Sequence, residues 1–330
     1  MLSLSDKRVI LISPRFFGYD LVIQRSLIDS GAEVERLVDR PFENAFSKAV
    51  TKLFTRLIGK VLEQYYFSKI DKLSMCADYI LVINGQTLSR SVLLYLKEKN
   101  PNAKFILYMW DSIENRPGII HNFDLFDEKF SFDKKSAKRF GLKFRPLFYE
   151  NGEKSEVVEC DGGGYVMSFI GTAHSDRYAI IKSLSQKYSG QVFFWYMYLQ
   201  APWVFWWYKL SNPAYVGARK NEFHYHPLTS QEMKTVLSQS DVIVDIENSM
   251  QVGLTIRTFD IMKAGKKMIT TNQDVLNYDF YLFGNVHVID RLDPSVPEEF
   301  MSRMFTPYSS EILYFYSIDG WIEDVLGLKV

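Results

Sequence analysis

Hydrophobic and polar positions fall into alternating blocks along the chain. Arg8 to Ser13 (RVILIS) is a short apolar run with β-branched residues that stops at Pro14. Such a run predicts a strand buried on both faces. Asp20 to Ser30 then reads as a helix closed by Gly31, and Glu33 to Leu37 as a second strand. Asp78 to Ile83 (DYILVI) is another buried strand, ending at Asn84-Gly85. Ser89 to Lys99 reads as a helix and Lys104 to Tyr108 as the next strand, with shorter strands at Phe130 to Phe132 and Leu142 to Phe144. Strand and helix in alternation predict a parallel sheet covered on both faces.

The character changes at residues 151–164, which are charged and then run through Asp161-Gly162-Gly163-Gly164, as in a linker. A second series follows. Strands are predicted at Tyr165 to Ile170, Gln191 to Tyr198, Asp241 to Ile246, Lys267 to Thr271 and Val286 to Ile289. Helices are predicted at Arg177 to Tyr188, Thr229 to Gln239 and Thr258 to Ala264, the last closed by Gly265. Ser309 to Leu328 reads as one helix. The expectation is α/β: two doubly wound Rossmann-like domains facing a cleft. Residues 1–150 form the first domain, 151–164 the linker, 165–308 the second domain, and 309–330 a helix returning to the first. In such sheets ligands bind beyond the carboxyl ends of the strands.

Composition narrows the function. The 330 residues carry 39 Lys+Arg against 39 Asp+Glu. A net charge of zero argues against nucleic acid as a partner, because general binding of that kind rests on phosphate neutralisation. Two cysteines far apart exclude a disulfide framework. No stretch reaches the roughly 18 apolar residues of a membrane span, and Met1 to Leu11 lacks a signal-peptide pattern. A cytoplasmic location is expected. Aromatic residues are 15% of the chain, which suits a bulky core, a sugar site or a membrane interface.

Candidate chemistry concentrates in Glu247 to Asn272 (ENSMQVGLTIRTFDIMKAGKKMITTN). A strand ends, a turn containing Gly253 follows, and a helix opens near Thr255 to Thr258. A helix N-terminus offers free N–H groups and a positive dipole end to a phosphate. Thr255 and Thr258 add hydroxyl donors, and Arg257 adds a planar fork that matches a diphosphate. Asp260, one turn further on, suits ribose or sugar hydroxyls. The plainer alternative is a helix cap with a surface arginine.

This segment resembles the nucleotide-sugar-binding signature of bacterial GT-B glycosyltransferases of capsule and lipopolysaccharide assembly. There an acidic residue on a helix stands five residues before a Gly, followed by a strand ending in Thr. Here these are Asp260, Gly265 and Ile269-Thr270-Thr271. The retaining branch carries Glu eight residues before that acid, where this chain has Val252, so retention and inversion both stay open. The resemblance implies a donor site on the second domain that includes Glu247 and Gly253. In FIGTAHSDR (Phe169 to Arg177), where Thr172, Ser175 and Arg177 can donate to phosphate, it implies a loop facing the donor diphosphate through Gly171, Thr172 and Arg177. His174 there would hold phosphate or act as an acid. In SPRFFGYD it implies an acceptor-side loop with Arg15, Gly18 and Tyr19. An inverting transferase needs a general base, and Asp111 and then Asp20 are the candidates.

No metal or other cofactor is expected. An Asp-x-Asp motif is missing, with Asp245-Ile246-Glu247 the nearest variant, and His224 and His226 lack an evident third ligand. Lys48, Lys52, Arg56 and Lys60 form an i, i+4 row opposite an apolar face, with no acid from Asn44 to Leu62. That is either a core helix with a solvated face or a helix lying on the anionic inner face of the cell membrane. Trp195 to Tyr208 offers a second contact of that kind. The expected partners are therefore a nucleotide-sugar donor, a saccharide or lipid-linked acceptor, and an anionic membrane surface. A nucleotide-sugar epimerase and a non-catalytic component of a polysaccharide assembly complex are the alternatives.

Overall fold

The structure, a computed structural model, describes residues 3–15, 18–39, 55–74, 76–115, 117–151, 164–248 and 253–328. Most of the expected linker, together with Lys48 and Lys52, lies outside them. The chain divides into two compact units, Met1–Glu150 with Tyr314–Val330, and Asn151–Leu313.

The first unit holds a six-stranded sheet, wholly parallel, in the order β2-β1-β3-β4-β5-β6. The strands are β1 (Arg8–Ser13), β2 (Glu33–Val38), β3 (Tyr79–Ile83), β4 (Lys104–Met109), β5 (Glu128–Ser131) and β6 (Lys143–Phe144). The helices are α1 (Tyr19–Asp29), α2 (Thr55–Ile70), α3 (Arg90–Lys99) and α4 (Lys134–Phe140). Side chains of a strand alternate between faces. Ile10, Ile12, Ile80, Val82, Phe105 and Leu107 accordingly share one core with Tyr66 and Ile70 of α2 and Val92 and Leu96 of α3. Tyr108, out of phase with them, meets Trp321 edge-on at 4.7 Å.

Three elements of this unit differ from the sequence expectation. Of the basic stretch only the part from Thr55 is described; there α2 continues past Leu62 to Ile70, with Tyr66 and Ile70 buried, as in a core helix. Helix α4 has no counterpart in the reading, although Asp133 caps its start and Gly141 closes it in the left-handed region. The helix expected over 309–328 is two, α10 (Ser310–Tyr316) and α11 (Ile318–Leu326), in the numbering completed below. Tyr149 interrupts it: its N–H donates to the Tyr316 carbonyl and its carbonyl accepts from Ile318, both at 3.0 Å. Ser317 then caps the new helix through the Gly320 N–H. A Cβ at residue 320 would lie 2.1 Å from the Tyr314 carbonyl oxygen, so this tight junction admits only glycine. Arg145 pairs with Asp324 at 2.7 Å and fixes α11 on the first unit.

The second unit holds a five-stranded parallel sheet in the order β11-β10-β9-β7-β8. Its strands are β7 (Tyr165–Thr172), β8 (Phe193–Tyr198), β9 (Ser240–Asp245), β10 (Lys267–Thr270) and β11 (Val286–Val288). Its helices are α5 (Arg177–Lys187), α6 (Pro202–Ser211), α7 (Ser230–Ser238), α8 (Ile256–Lys263) and α9 (Glu298–Ser302). Met167, Phe169, Val242, Val244 and Ile269 of the sheet form a core with Ile180, Ile181 and Leu184 of α5 and Phe205 of α6. In both units the strand order reverses beside the first strand. The switch points fall between β1 and β3, and between β7 and β9, and doubly wound sheets bind ligands beyond the strand ends at such points.

Candidate functional site

Gly171, Thr172, Arg177, Arg257 and Thr258 converge on the carboxyl ends of β7 and β9. Gly171 and Thr172 close β7, and Asp245 closes β9. A Cβ at residue 171 would come within 2.7 Å of the buried Phe169 ring, so glycine is what the packing accepts there. Arg177, the first residue of α5, donates from Nε to the Ile246 carbonyl at 2.6 Å and from Nη1 to the Thr172 carbonyl at 3.0 Å. Arg257, in the first turn of α8, donates from Nη1 to the Ile170 carbonyl. Two guanidiniums thus clasp the two central strand ends.

A third guanidinium, Arg291, was not foreseen. It lies in the loop after β11, three residues beyond the strand. Its Nη1 reaches both Asp176 carboxylate oxygens, at 2.7 and 2.8 Å. Its Nη2 donates to Glu247 Oε1 at 2.6 Å and to the Glu247 carbonyl at 2.8 Å. The sequence signal was the charged pair Asp290-Arg291 directly after an apolar strand, which resembles any surface turn.

Carboxylates balance these charges. Asp245 is buried, and burial pushes its carboxyl up against the opposing pull of Arg257 and Arg177. The same burial pushes Arg177 down, against Asp245. Glu247 is buried too, and its second oxygen accepts the Thr271 hydroxyl. Asn272 Nδ2 donates to the Gly253 carbonyl at 3.0 Å. The Thr271-Asn272 end of the signature therefore holds the loop that opens α8. Asp260 sits within α8, and Gly265 follows the end of that helix in the left-handed region (φ 65°), which accounts for the glycine of the signature.

Both helices that start here lack a side-chain cap. The N-cap of α5, Asp176, turns its carboxylate to Arg291 instead. The N-cap of α8, Thr255, makes no capping bond either, while Thr258 is buried and bonds Asp245. Uncapped first-turn N–H groups are donors for an anion. In the connecting loop, Ser175 holds a left-handed backbone (φ 47°), sparsely populated for a residue other than glycine. His174 Nδ1 lies 2.9 Å from the Ser175 hydroxyl, and Asn212 Nδ2 donates to the Ser175 carbonyl at 2.8 Å. Burial, helped by Arg177, pushes His174 down to about 4, so its imidazole is neutral at pH 7.

The first unit's switch point is built differently. Asp20 is buried and paired with Arg36 of β2. Asp111 follows β4, and its carboxylate accepts the Ser112 N–H at 2.9 Å. Asn84, left-handed at φ 63°, accepts the Trp110 and Asp111 N–H groups at 2.8 and 3.2 Å. Tyr19 meets Trp110 at 5.8 Å, and Trp110 meets Phe148 at 6.0 Å. Gly18 is the left-handed N-cap of α1, and Arg15 is exposed just before it in sequence. Buried Asp39 gathers the Gln86 N–H at 2.9 Å, the Thr87 N–H at 3.1 Å and the Tyr66 hydroxyl at 3.2 Å.

Elsewhere, His224 stacks on Tyr196 at 3.8 Å and His226 gives its carbonyl to the Tyr196 hydroxyl. Among the described residues no three His, Cys, Asp or Glu side chains gather into a metal cluster. Among them, too, no helix is long and apolar enough to cross a membrane.

No protein-family model matches the chain, and no curated protein matches it. Solved structures do. The structure of HepE from Anabaena in complex with UDP and glucose matches at a TM-score of 0.57 and 10% identity, over 98% of this chain and 100% of that one. The apo lipopolysaccharide outer core galactosyltransferase WaaB matches at 0.50 and 11%, again over 98% and 100%. The UDP-GlcNAc 2-epimerase from Methanocaldococcus jannaschii matches at 0.50 and 10% over the same shares. At such identities the likeness is one of fold: the chain is α/β with the two Rossmann-like domains of the GT-B fold.

Proposed function

We propose that this chain is a glycosyltransferase that moves a sugar from a nucleotide-sugar donor to a saccharide or lipid-linked saccharide, in bacterial surface polysaccharide synthesis. One observation carries the reading. Three guanidiniums and two helix N-termini without side-chain caps meet at the switch point of the second sheet. That combination suits a diphosphate. The Gly171–Ser175 loop and the start of α8 would take the phosphates, and Asp260 the hydroxyls of ribose or sugar. As the glycosidic bond to the donor breaks, charge develops on the leaving diphosphate. Oriented N–H groups and guanidiniums stabilise such charge without a metal.

The acceptor is assigned to the first unit, where Tyr19 and Trp110 supply amphipathic ring faces. Asp111 is the better candidate for the base that takes the acceptor proton, because Asp20 is committed to Arg36. His174 is neutral near pH 7 and serves as a hydrogen-bonding group beside the phosphates rather than as a charge. An enzyme of this kind works where nucleotide sugars are made, on the cytoplasmic side of the membrane.

The fold shared with the Methanocaldococcus 2-epimerase favours one second reading, an epimerase acting on the free nucleotide sugar. Incubation with nucleotide sugars, with and without saccharide acceptors, separates the two. The transferase reading expects nucleoside diphosphate and an extended saccharide, both dependent on acceptor. A changed sugar nucleotide with no transfer product would assign the epimerase. A folded protein that binds no nucleotide at all would contradict both and leave the non-catalytic role.

A further inference from the structure

Helix α6 carries two opposed faces. Val204 and Phe205 are buried in the second unit's core, and Tyr208 stacks on Tyr215 at 4.9 Å. The outward face shows Trp203 (69% exposed), Trp206 (54%), Trp207 (64%) and Leu210 (88%). These stand at i, i+3, i+4 and i+7, which is one stripe of a helix. Trp206 meets the buried Phe205 ring edge-on at 5.2 Å, yet all three tryptophans keep more than half of their surface exposed. We infer that this face docks on an anionic lipid bilayer.

The choice of occupant rests on charge, shape and place. Around the helix the chain carries Lys209, Arg219 and Lys220, and the one acid next to them, Glu222, is taken up by Lys182 and the Tyr178 hydroxyl. A basic surround complements anionic headgroups, and tryptophan rings favour the depth where headgroups meet acyl chains. The helix has 10 residues, too short to span a bilayer, so it lies in the interface plane. Lys209 braces it, with its ammonium 5.6 Å from the Phe205 ring and 3.1 Å from the Ala218 carbonyl. The helix follows β8 at the carboxyl end of the parallel sheet, the end that carries the arginine cluster. Asn212, its C-cap, holds the Ser175 carbonyl at 2.8 Å. A docked α6 therefore sets the 172–177 loop close to the membrane. The inference goes beyond the transferase reading and does not depend on it.

The test is flotation of the full chain with vesicles of phosphatidylcholine alone and of phosphatidylcholine mixed with phosphatidylglycerol, without nucleotide. Wild type is expected to float with the mixed vesicles, with a blue shift of tryptophan emission, and to release as salt rises. The combined variant Trp203→Ser/Trp206→Ser/Trp207→Ser should lose about tenfold or more in partition, roughly 1.4 kcal/mol per tenfold. Arg219→Gln and Lys220→Gln should each cost about fivefold, on anionic vesicles only. All these side chains are exposed, so circular dichroism of the variants should match wild type. Failure of wild type to float, or equal flotation of the triple variant, overturns the inference. So does a wild-type dimer that the triple variant converts to monomer, which gives the face to a second copy. None of these results touches nucleotide binding, so this inference and the transferase reading fail separately.

Discussion

The two switch points share a topology and differ in chemistry. Beyond β1 and β3 the polar groups are consumed locally. Asp39 is filled by Tyr66, Gln86 and Thr87, Asp20 by Arg36, and Asn84 by the backbone of Trp110 and Asp111. Aromatic rings complete that end. Beyond β7 and β9 the polar groups are paired as well, Arg177 and Arg257 with strand-end carbonyls and Arg291 with Asp176 and Glu247, but there they are charged, and both helix starts lack side-chain caps. The contrast teaches that doubly wound topology supplies a place and the side chains select the ligand. Under the proposed function the first end would take the uncharged saccharide and the second the diphosphate.

The sharpest way to break this contrast is at the Arg291–Glu247 pair. Arg291→Met leaves Glu247 buried without its ionic partner, and loss of one partner from a buried pair costs about 3–5 kcal/mol. Urea unfolding should show that loss. Adding Glu247→Gln should restore a large part of it, whereas additive losses would show that the two side chains do not act as a pair. Arg257→Lys comes next. It keeps a positive charge beside Asp245 and removes the planar fork, so the fold should persist. Turnover should fall about 100-fold, or roughly 2.7 kcal/mol of transition-state stabilisation. Arg257→Ala is a poorer test than the sequence suggests, because Arg257 also offsets the cost of burying Asp245.

Much of this arrangement was legible in the sequence, for physical reasons that also mark the limit. Parallel strands buried on both faces leave uninterrupted apolar runs, so β1 begins and ends where the run RVILIS does, and β3 and β4 fall within a residue of expectation. The cluster around α8 announced itself through Gly, Thr and Arg packed into one turn. Arg291 did not, because its role depends on where β11 lies relative to β9 and β10 in the sheet. A register of that kind carries no local signal. Helix α6 was hidden for another reason: its aromatic run points both into the core and out of it, so no single periodicity stands out. The break at Ser317 depends on Tyr149, which is distant in sequence.

Smaller effects sharpen the comparison further. Gly171→Ala drives a Cβ against Phe169 and should cost about 1–3 kcal/mol by calorimetry, with weaker nucleotide binding. Trp110→Ala should raise the acceptor KM about three- to tenfold and leave nucleotide affinity unchanged. A fall in nucleotide affinity there would erase the division of labour between the two ends. His174 acts only through pH. Its unfolded form takes a proton near pH 6.5 and its folded form only near 4. Protons therefore favour the unfolded chain across that window, and stability should decline as pH falls from about 6.5 towards 4. His174→Gln should flatten part of that decline in urea midpoints measured at several pH values.

The central claim is that the arginine cluster of the second unit holds the diphosphate of a nucleoside diphosphate. The direct measurement is a thermal-shift panel with UDP, GDP, CMP, dTDP and their common sugar conjugates, run on wild type and Arg257→Lys. A ligand at about 100 times its dissociation constant adds about 2.7 kcal/mol to stability. The account predicts one clear diphosphate responder with wild type and a much smaller response with Arg257→Lys. A folded wild type that answers to none of these ligands, or a variant that answers as fully as wild type, would contradict it.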